Sequence, residues 1–133
     1  MSLPKTKDLL LILGVVVIFA LGYFYMNQEG FEAKHTDLDQ YIKRPEKTLV
    51  LFYAEWCGHC KTLKPIWDDT AKIANAKEKR MLKVDVGGES DEEKALLKKY
   101  NIDGFPTVMI FQSGNGKPYE GEKTKDTLLK LLE

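Results

Sequence analysis

The only two cysteines of the 133-residue chain stand three positions apart, in Trp56-Cys57-Gly58-His59-Cys60. The stretch before them, Thr48 to Ala54 (TLVLFYA), is continuously apolar and rich in strand formers, as a strand buried on both faces would be. The stretch after them has helical spacing through Leu63, Trp67, Thr70, Ala71 and Ala74. The pair therefore sits where a buried strand hands over to a helix. The first turn of a helix presents unpaired N–H groups and a positive partial charge. A thiolate at Cys57 is stabilised there, so its pKa falls and its reactivity at neutral pH rises. Cys60 lies one turn on, on the same face and within disulfide reach. His59 adds a donor, and at times a positive charge, beside the sulfur. Favouring the reduced form in this way makes the disulfide a stronger oxidant. The chemistry is thiol–disulfide exchange, with the Cys57–Cys60 disulfide as the redox group and no other cofactor expected.

Blander readings fit less well. A structural disulfide here would close so short a loop that little chain entropy is removed. A zinc site lacks ligands: His35 is the only other soft donor, and His59 between the cysteines cannot easily join them around one ion. No metal is expected. Inert thiols would not need the activating helix start.

The elements that must position the pair follow from pattern. Asp37-x-x-Gln40 reads as a capping box opening a short helix with Leu38, Tyr41 and Ile42 on its apolar side. The helix after Cys57 extends to about Arg80, with Pro65 expected to kink it. Met81 to Val86 is a second strand, with Leu82, Val84 and Val86 on one face. Ser90-x-x-Glu93 is a capping box for a helix ending at Lys98 and Lys99, and Asp91-Glu92-Glu93 is its helix-start charge cluster. Thr107 to Gln112 is a strand, Ser113-Gly114-Asn115-Gly116 a turn, and Lys117 to Glu120 a returning hairpin strand. Thr124 caps a last helix with Leu128, Leu131 and Leu132 inward. A small strand at Phe31–His35 completes the set. This order predicts an α/β domain, a mixed central sheet with helices on both faces.

Lysine plus arginine and aspartate plus glutamate number 20 each, so no basic field points to nucleic acid. Hydrophobic residues make up 44%, too many for a disordered chain. They concentrate in Leu9 to Met26 (LLLILGVVVIFALGYFYM), which as a helix spans roughly 27 Å, near the thickness of a thin bilayer. Tyr23, Phe24 and Tyr25 stand at its end as an aromatic belt would. A single-pass transmembrane anchor is the leading reading. A cleaved signal peptide, with Ala20-Leu21-Gly22 as the small-x-small site, is the alternative. A buried core helix fits poorly, because the run is apolar all round. Lys5 and Lys7 favour an N-terminus kept in the cytoplasm, with the rest crossing. The expected organisation is a tail at 1–8, the anchor at 9–26, a linker at 27–30 and one domain at 31–133. The chain has no Asn-x-Ser/Thr sequon and ends Lys-Leu-Leu-Glu, not in a retention signal.

The domain also resembles a known family. FYAEWCGHCK, Pro65 in the helix that follows, Lys83-Val84-Asp85, Gly104-Phe105-Pro106-Thr107 and Tyr119-x-Gly121-x-Lys123-Thr124 together look like the thioredoxin superfamily, most similar to a catalytic domain of protein disulfide isomerase. The resemblance covers essentially all of residues 31–133 and implies the thioredoxin fold. It implies that Cys57 attacks and forms a mixed disulfide with a client, and that a buried Cys60 resolves it. Gly58, His59, Lys83 and Lys123 would modulate the pair. Trp56 would shield one side of the sulfur, although core packing is its bland reading. Pro106 would be a cis-proline facing the disulfide, with the Phe105 main chain pairing with an extended client segment.

Two positions depart from the family. Leu51 stands where a buried acid usually accepts the resolving cysteine's proton, and Lys123 where the isomerases place an arginine. Cys60 is therefore expected to keep a poorly lowered pKa and to release mixed disulfides slowly. Nearby Glu55 could partly substitute, though a surface charge is the plainer reading. His35 reads as a surface or packing histidine.

The expected function is a membrane-anchored thiol–disulfide oxidoreductase. Its domain would lie on the oxidising (lumenal, periplasmic or extracytoplasmic) side and act on client proteins with thiols or disulfides. Glutathione or an electron-transfer partner would exchange electrons with it. The alternatives are a tethered thioredoxin-type reductase and a non-catalytic adaptor of the same fold that binds extended peptides.

Overall fold

A computed structural model of the chain describes residues 2–26, 32–78 and 80–133. The predicted 27–30 linker and Phe31 lie outside the described residues. Helix α1, Thr6–Met26, is apolar from Leu9 onward after a first turn holding Lys7 and Asp8, with a mean hydropathy of 2.3 over Thr6–Tyr25 and none of that span buried. It starts earlier than the predicted Leu9. By length and composition it is the one helix among the described residues able to cross a membrane.

The domain is built on four strands: β1 Thr48–Tyr53, β2 Met81–Asp85, β3 Thr107–Gln112 and β4 Asn115–Pro118. Their order is β2-β1-β3-β4, with β1 and β2 parallel and the other pairs antiparallel. Every residue of β1 is buried, as its unbroken apolar run requires of a central strand covered on both sides. Alternation along β1 divides the core in two. Leu49, Leu51 and Tyr53 face α3 (Gly58–Ala74) and α5 (Lys125–Leu131), together with Leu63, Trp67, Ala71 and Leu128. Val50 and Phe52 face the side of α2 (Leu38–Ile42) and α4 (Asp91–Lys99), with Leu82, Val84, Val86 and Phe111. Both clusters are drawn from residues between Ala33 and Leu132, so the domain closes its core without α1. This is the thioredoxin fold expected from the sequence.

Several boundaries differ from the sequence reading. Asp37 is not a capping side chain: its backbone is helical (φ −96°, ψ −12°), and a side-chain cap needs the extended geometry. Its carboxylate instead accepts from the Thr36 hydroxyl at 3.3 Å. Helix α3 runs unbroken through Pro65 but stops at Ala74, short of Arg80. The Asn75 amide explains the stop, since its Oδ1 accepts from the N–H groups of Arg80 and Met81 and its Nδ2 donates to Met81 O, which starts β2. The hairpin turn is only Ser113-Gly114, with φ of 51° and 81°, so β4 begins two residues before the predicted Lys117. The small strand at Phe31–His35 reduces, among the described residues, to one parallel bridge between Glu32 and Lys83. Ser90–Glu93 and Thr124–Thr127 do form reciprocal capping boxes at α4 and α5.

Candidate active site

Strand β1 ends at Tyr53, and after three intervening residues Cys57 takes extended backbone angles (φ −81°, ψ 120°) as the N-cap of α3. A capping side chain points its acceptor at the exposed N–H groups of the first turn. Here that acceptor is sulfur: Cys60 N–H donates to Cys57 Sγ at 3.3 Å. Cys57 is 8% exposed and Cys60 fully buried, so an incoming sulfur reaches the first and not the second. Both are free thiols.

Their environments push the two pKa values apart. The Cys60 S–H, donating to the Cys57 sulfur, lowers the Cys57 thiol from the ordinary value, helped by the main-chain N–H groups of Cys60 and His59. Burial pushes Cys60 up to about 11, and donation of its proton to Cys57 adds to the rise. Of the two sulfurs, Cys57 is therefore the more readily ionised and Cys60 the one that keeps its proton. His59 contributes through its main chain; its exposed ring makes no hydrogen bond among the described residues. Gly58 opens α3 with nothing within 4 Å of where a side chain would begin, which leaves the approach to the sulfurs unobstructed.

The Phe105–Pro106 peptide is cis, and the Phe105 carbonyl accepts from Cys57 Sγ at 3.6 Å. Trp56 is not a core residue. It is 69% exposed, donates its Nε1 proton to Gly87 O at 2.8 Å, and meets the Phe105 ring edge-on at 5.8 Å. Gly87 is required at that contact, because a Cβ there would collide with Ala54 and the Trp56 indole. Exposed Trp56 and half-buried Phe105 and Pro106 therefore form one rim beside Cys57.

Lys83 is 4% exposed and lies across from Leu51 in the β1–β2 register. Its ammonium pairs with both oxygens of Asp68 on α3, at 3.0 and 3.1 Å. Lys123 donates to Gly121 O at 3.3 Å and lies 5.9 Å from the Tyr119 ring centroid; among the described contacts none joins it to Cys60. Glu55 forms a 2.6 Å ion pair with Lys64, which draws its pKa down, and Tyr53 donates to Glu32 at 2.7 Å. Asp68, Lys64, Glu32 and Gly87 were not singled out in the sequence. Alternation in β2, which puts Lys83 on the face away from Leu82 and Val84, was the signal that it needed a partner on α3. His35 Nε2 lies 2.8 Å from Asp85 O, a packing contact. No cluster of three metal-ligating side chains occurs among the described residues.

The family profile described as thioredoxin matches residues 30–133. The chain belongs to the thioredoxin family. Over 100 residues (75% of this chain, 16% of the relative) it is 35% identical to protein disulfide isomerase-like 1-4 of Arabidopsis thaliana. Over 98 residues (71% of this chain, 26% of the relative) it is 39% identical to protein disulfide-isomerase erp38 of Neurospora crassa. The solution structure of the first thioredoxin domain of mouse protein disulfide-isomerase A4 superposes with a TM-score of 0.64 at 25% identity, covering 77% of this chain and 73% of that one. The chain spans about a sixth to a quarter of the length of these two curated relatives, so the likeness is to one thioredoxin domain within longer proteins.

Proposed function

We propose that this protein is a membrane-tethered thiol–disulfide oxidoreductase, its thioredoxin domain on the oxidising side of the membrane and its clients proteins with thiols or disulfides. The observation that carries the reading is the pair itself: a Cys57 sulfur at a helix start, receiving hydrogen bonds from Cys60, with a fully buried second thiol behind it. The names of the relatives agree with that chemistry. The apolar α1 supports the tether.

In the reducing direction, the Cys57 thiolate attacks one sulfur of a client disulfide. The client S–S bond breaks, a Cys57–client mixed disulfide forms, and the other client sulfur leaves as a thiolate. Cys60 then loses its proton to solvent and attacks Cys57 Sγ. The Cys57–Cys60 disulfide forms and the second client thiolate leaves, so the client has gained two electrons and the enzyme has lost them. Oxidation of a client dithiol is the reverse sequence, and glutathione is the small-molecule exchange partner that resets the pair. The Phe105 carbonyl accepts a hydrogen bond from the main chain of an extended client, while the Trp56–Phe105 rim covers the sulfur's flank.

The test is the reduction potential of the Cys57–Cys60 pair in residues 27–133, equilibrated against glutathione buffers. A value near roughly −180 mV is expected and places the domain with the oxidising isomerases. A value near roughly −270 mV would make it a tethered reductase of the thioredoxin type. A Cys57→Ala/Cys60→Ala variant that kept its biological activity would overturn the enzymatic reading in favour of a peptide-binding adaptor.

A further inference from the structure

We infer that the end of the domain opposite the sulfurs is a docking face for anionic phospholipid headgroups, which holds the domain against its membrane with the Cys57–Cys60 pair turned outward. The inference rests on the tethered reading of α1 proposed above.

Strand direction defines the two ends. Parallel β1 and β2 run toward the cysteines, so their first residues, the α3–β2 connection, the β3–β4 turn and the last turn of α5 share the far end. Arg80 ties that end together, donating to Lys47 O and Leu132 O. The chain also enters there. Glu32 bridges Lys83 in parallel and Ala33 N–H donates to Lys83 O at 3.0 Å, so the backbone arrives from the side of the strand beginnings. Residues 27–31 separate α1 from this point and reach at most roughly 20 Å. A tethered domain therefore keeps this end near the bilayer surface.

The charge of the chain, zero in sum, is divided along the same axis. At the entry end a groove of about 560 Å³ is lined by Lys47, Lys117 and Lys130, with Gln112 and Asn115 beside them. None of these lysines makes an ion pair among the described residues. Half-buried Ile110 and Leu131 lie in the same groove, an apolar floor for lysine stems. Glu46, Glu78 and Glu133 are the acids of the adjoining segments, in company with Arg44, Lys77 and Arg80. The sulfur end carries the acidic segment 89–93 after β2, Asp103 before Pro106, and Glu120 and Glu122 after β4, against Lys61, Lys123 and Lys125. An anionic surface attracts one end and repels the other, so both effects turn the domain the same way. Lipid is favoured over an acidic protein because a tether of this length presents headgroups to this end at high effective concentration, and docking requires that the leaflet on the domain's own side carry anionic ones.

The measurement is co-sedimentation of residues 27–133, which close their own core, with phosphatidylcholine vesicles lacking or containing about 30% phosphatidylserine. The domain is expected to bind the anionic vesicles at low salt, to be released as salt rises, and to ignore the neutral ones. Each lysine at the surface contributes about fivefold, so neutralising all three should cost on the order of 100-fold in binding, and Lys47→Glu/Lys117→Glu/Lys130→Glu should lose at least that much. The milder glutamine triple tests the same face if the glutamate triple misfolds. Circular dichroism and the redox activity of the pair verify the fold. Equal binding to both vesicle types, or undiminished binding of the folded triple variants, overturns the proposal. So does binding to polyglutamate without binding to vesicles, which would assign the face to an acidic protein. Alkaline extraction of membranes bearing the full chain reads the tether separately. If the chain washes off while the domain still binds anionic vesicles, the tether falls and the docking face stands.

Discussion

Replacing Leu51 with glutamate puts a carboxylate on the α3 side of β1, in the core cluster that holds Cys60 and across from Lys83. The wild-type structure shows what such a group has to act on. With its pKa pushed up to about 11 by burial, Cys60 is ionised at pH 7 in about one molecule in ten thousand. Resolution of a mixed disulfide needs that thiolate. A carboxylate at position 51 does not lower that pKa, since a second negative charge nearby disfavours the thiolate. It acts as a base that takes the Cys60 proton as the sulfur attacks, and a positioned base is worth roughly 100- to 10,000-fold. A rise of about 100-fold or more in escape from the mixed disulfide is the expected result.

The substitution also removes a fully buried leucine, worth about 2–3 kcal/mol, so the melting temperature should fall. Leu51→Gln has the same loss of packing without the charge and serves as the control. The assay traps a Cys57–glutathione mixed disulfide by rapid mixing and follows glutathione release by acid quench and mass spectrometry across pH 6–9. Equal release rates for wild type, Leu51→Gln and a folded Leu51→Glu would refute the reasoning. Proton removal from Cys60 would then not limit release.

Two further outcomes follow from the same cluster. Asp68→Asn leaves Lys83, whose side chain is 5% exposed, as an unpaired buried charge. It should cost about 3 kcal/mol by urea denaturation, the low end for a buried pair because Asp68 is itself 24% exposed. Asp68→Asn/Lys83→Met should recover most of that loss, whereas a single-variant cost below about 1 kcal/mol would show the pair to be energetically idle. For Cys57, a lowered pKa means that thiolate persists below the pH at which a free thiol becomes protonated, so alkylation by iodoacetamide should reach half its maximum below about pH 8.5. Cys60→Ala removes the largest cause of the lowering and should move that midpoint upward; an unchanged midpoint would assign the effect to the main-chain N–H groups alone.

Local signals were sufficient for most of the fold. The all-buried β1, the alternation of β2 and the capping boxes at Ser90 and Thr124 could be read directly, because each is a short-range rule about burial period or an orphan N–H group. Reading failed where two local solutions compete. Asp37 has the residue type of a cap but not its backbone angles. Helix-favouring residue types continue past Ala74, yet Asn75 can satisfy the start of β2 and takes that role. A turn containing Gly114 and Gly116 has more than one possible register, and pairing of Gln112 with Asn115 selects the shorter one.

The site divides along the same line. Cys57, Cys60 and the helix start beside them lie within a few consecutive residues, so the thiol pair and its place at the helix start were legible in the sequence alone. Which thiol is open and which is closed, the Phe105 carbonyl 3.6 Å from Cys57 Sγ, the Trp56 contact with Gly87 and the pairing of Lys83 with Asp68 were decided by tertiary structure. The Phe105, Trp56 and Lys83 contacts join residues 48, 31 and 15 positions apart. Spacing rules reach about one helical turn or one strand pair, whereas burial of Cys60 and the partner of Lys83 depend on how α3 packs across β1 and β2. The separation of charge between the two ends of the domain is of this second kind. It is invisible in a chain with zero net charge until the strand directions bring distant lysines to one end and distant acids to the other.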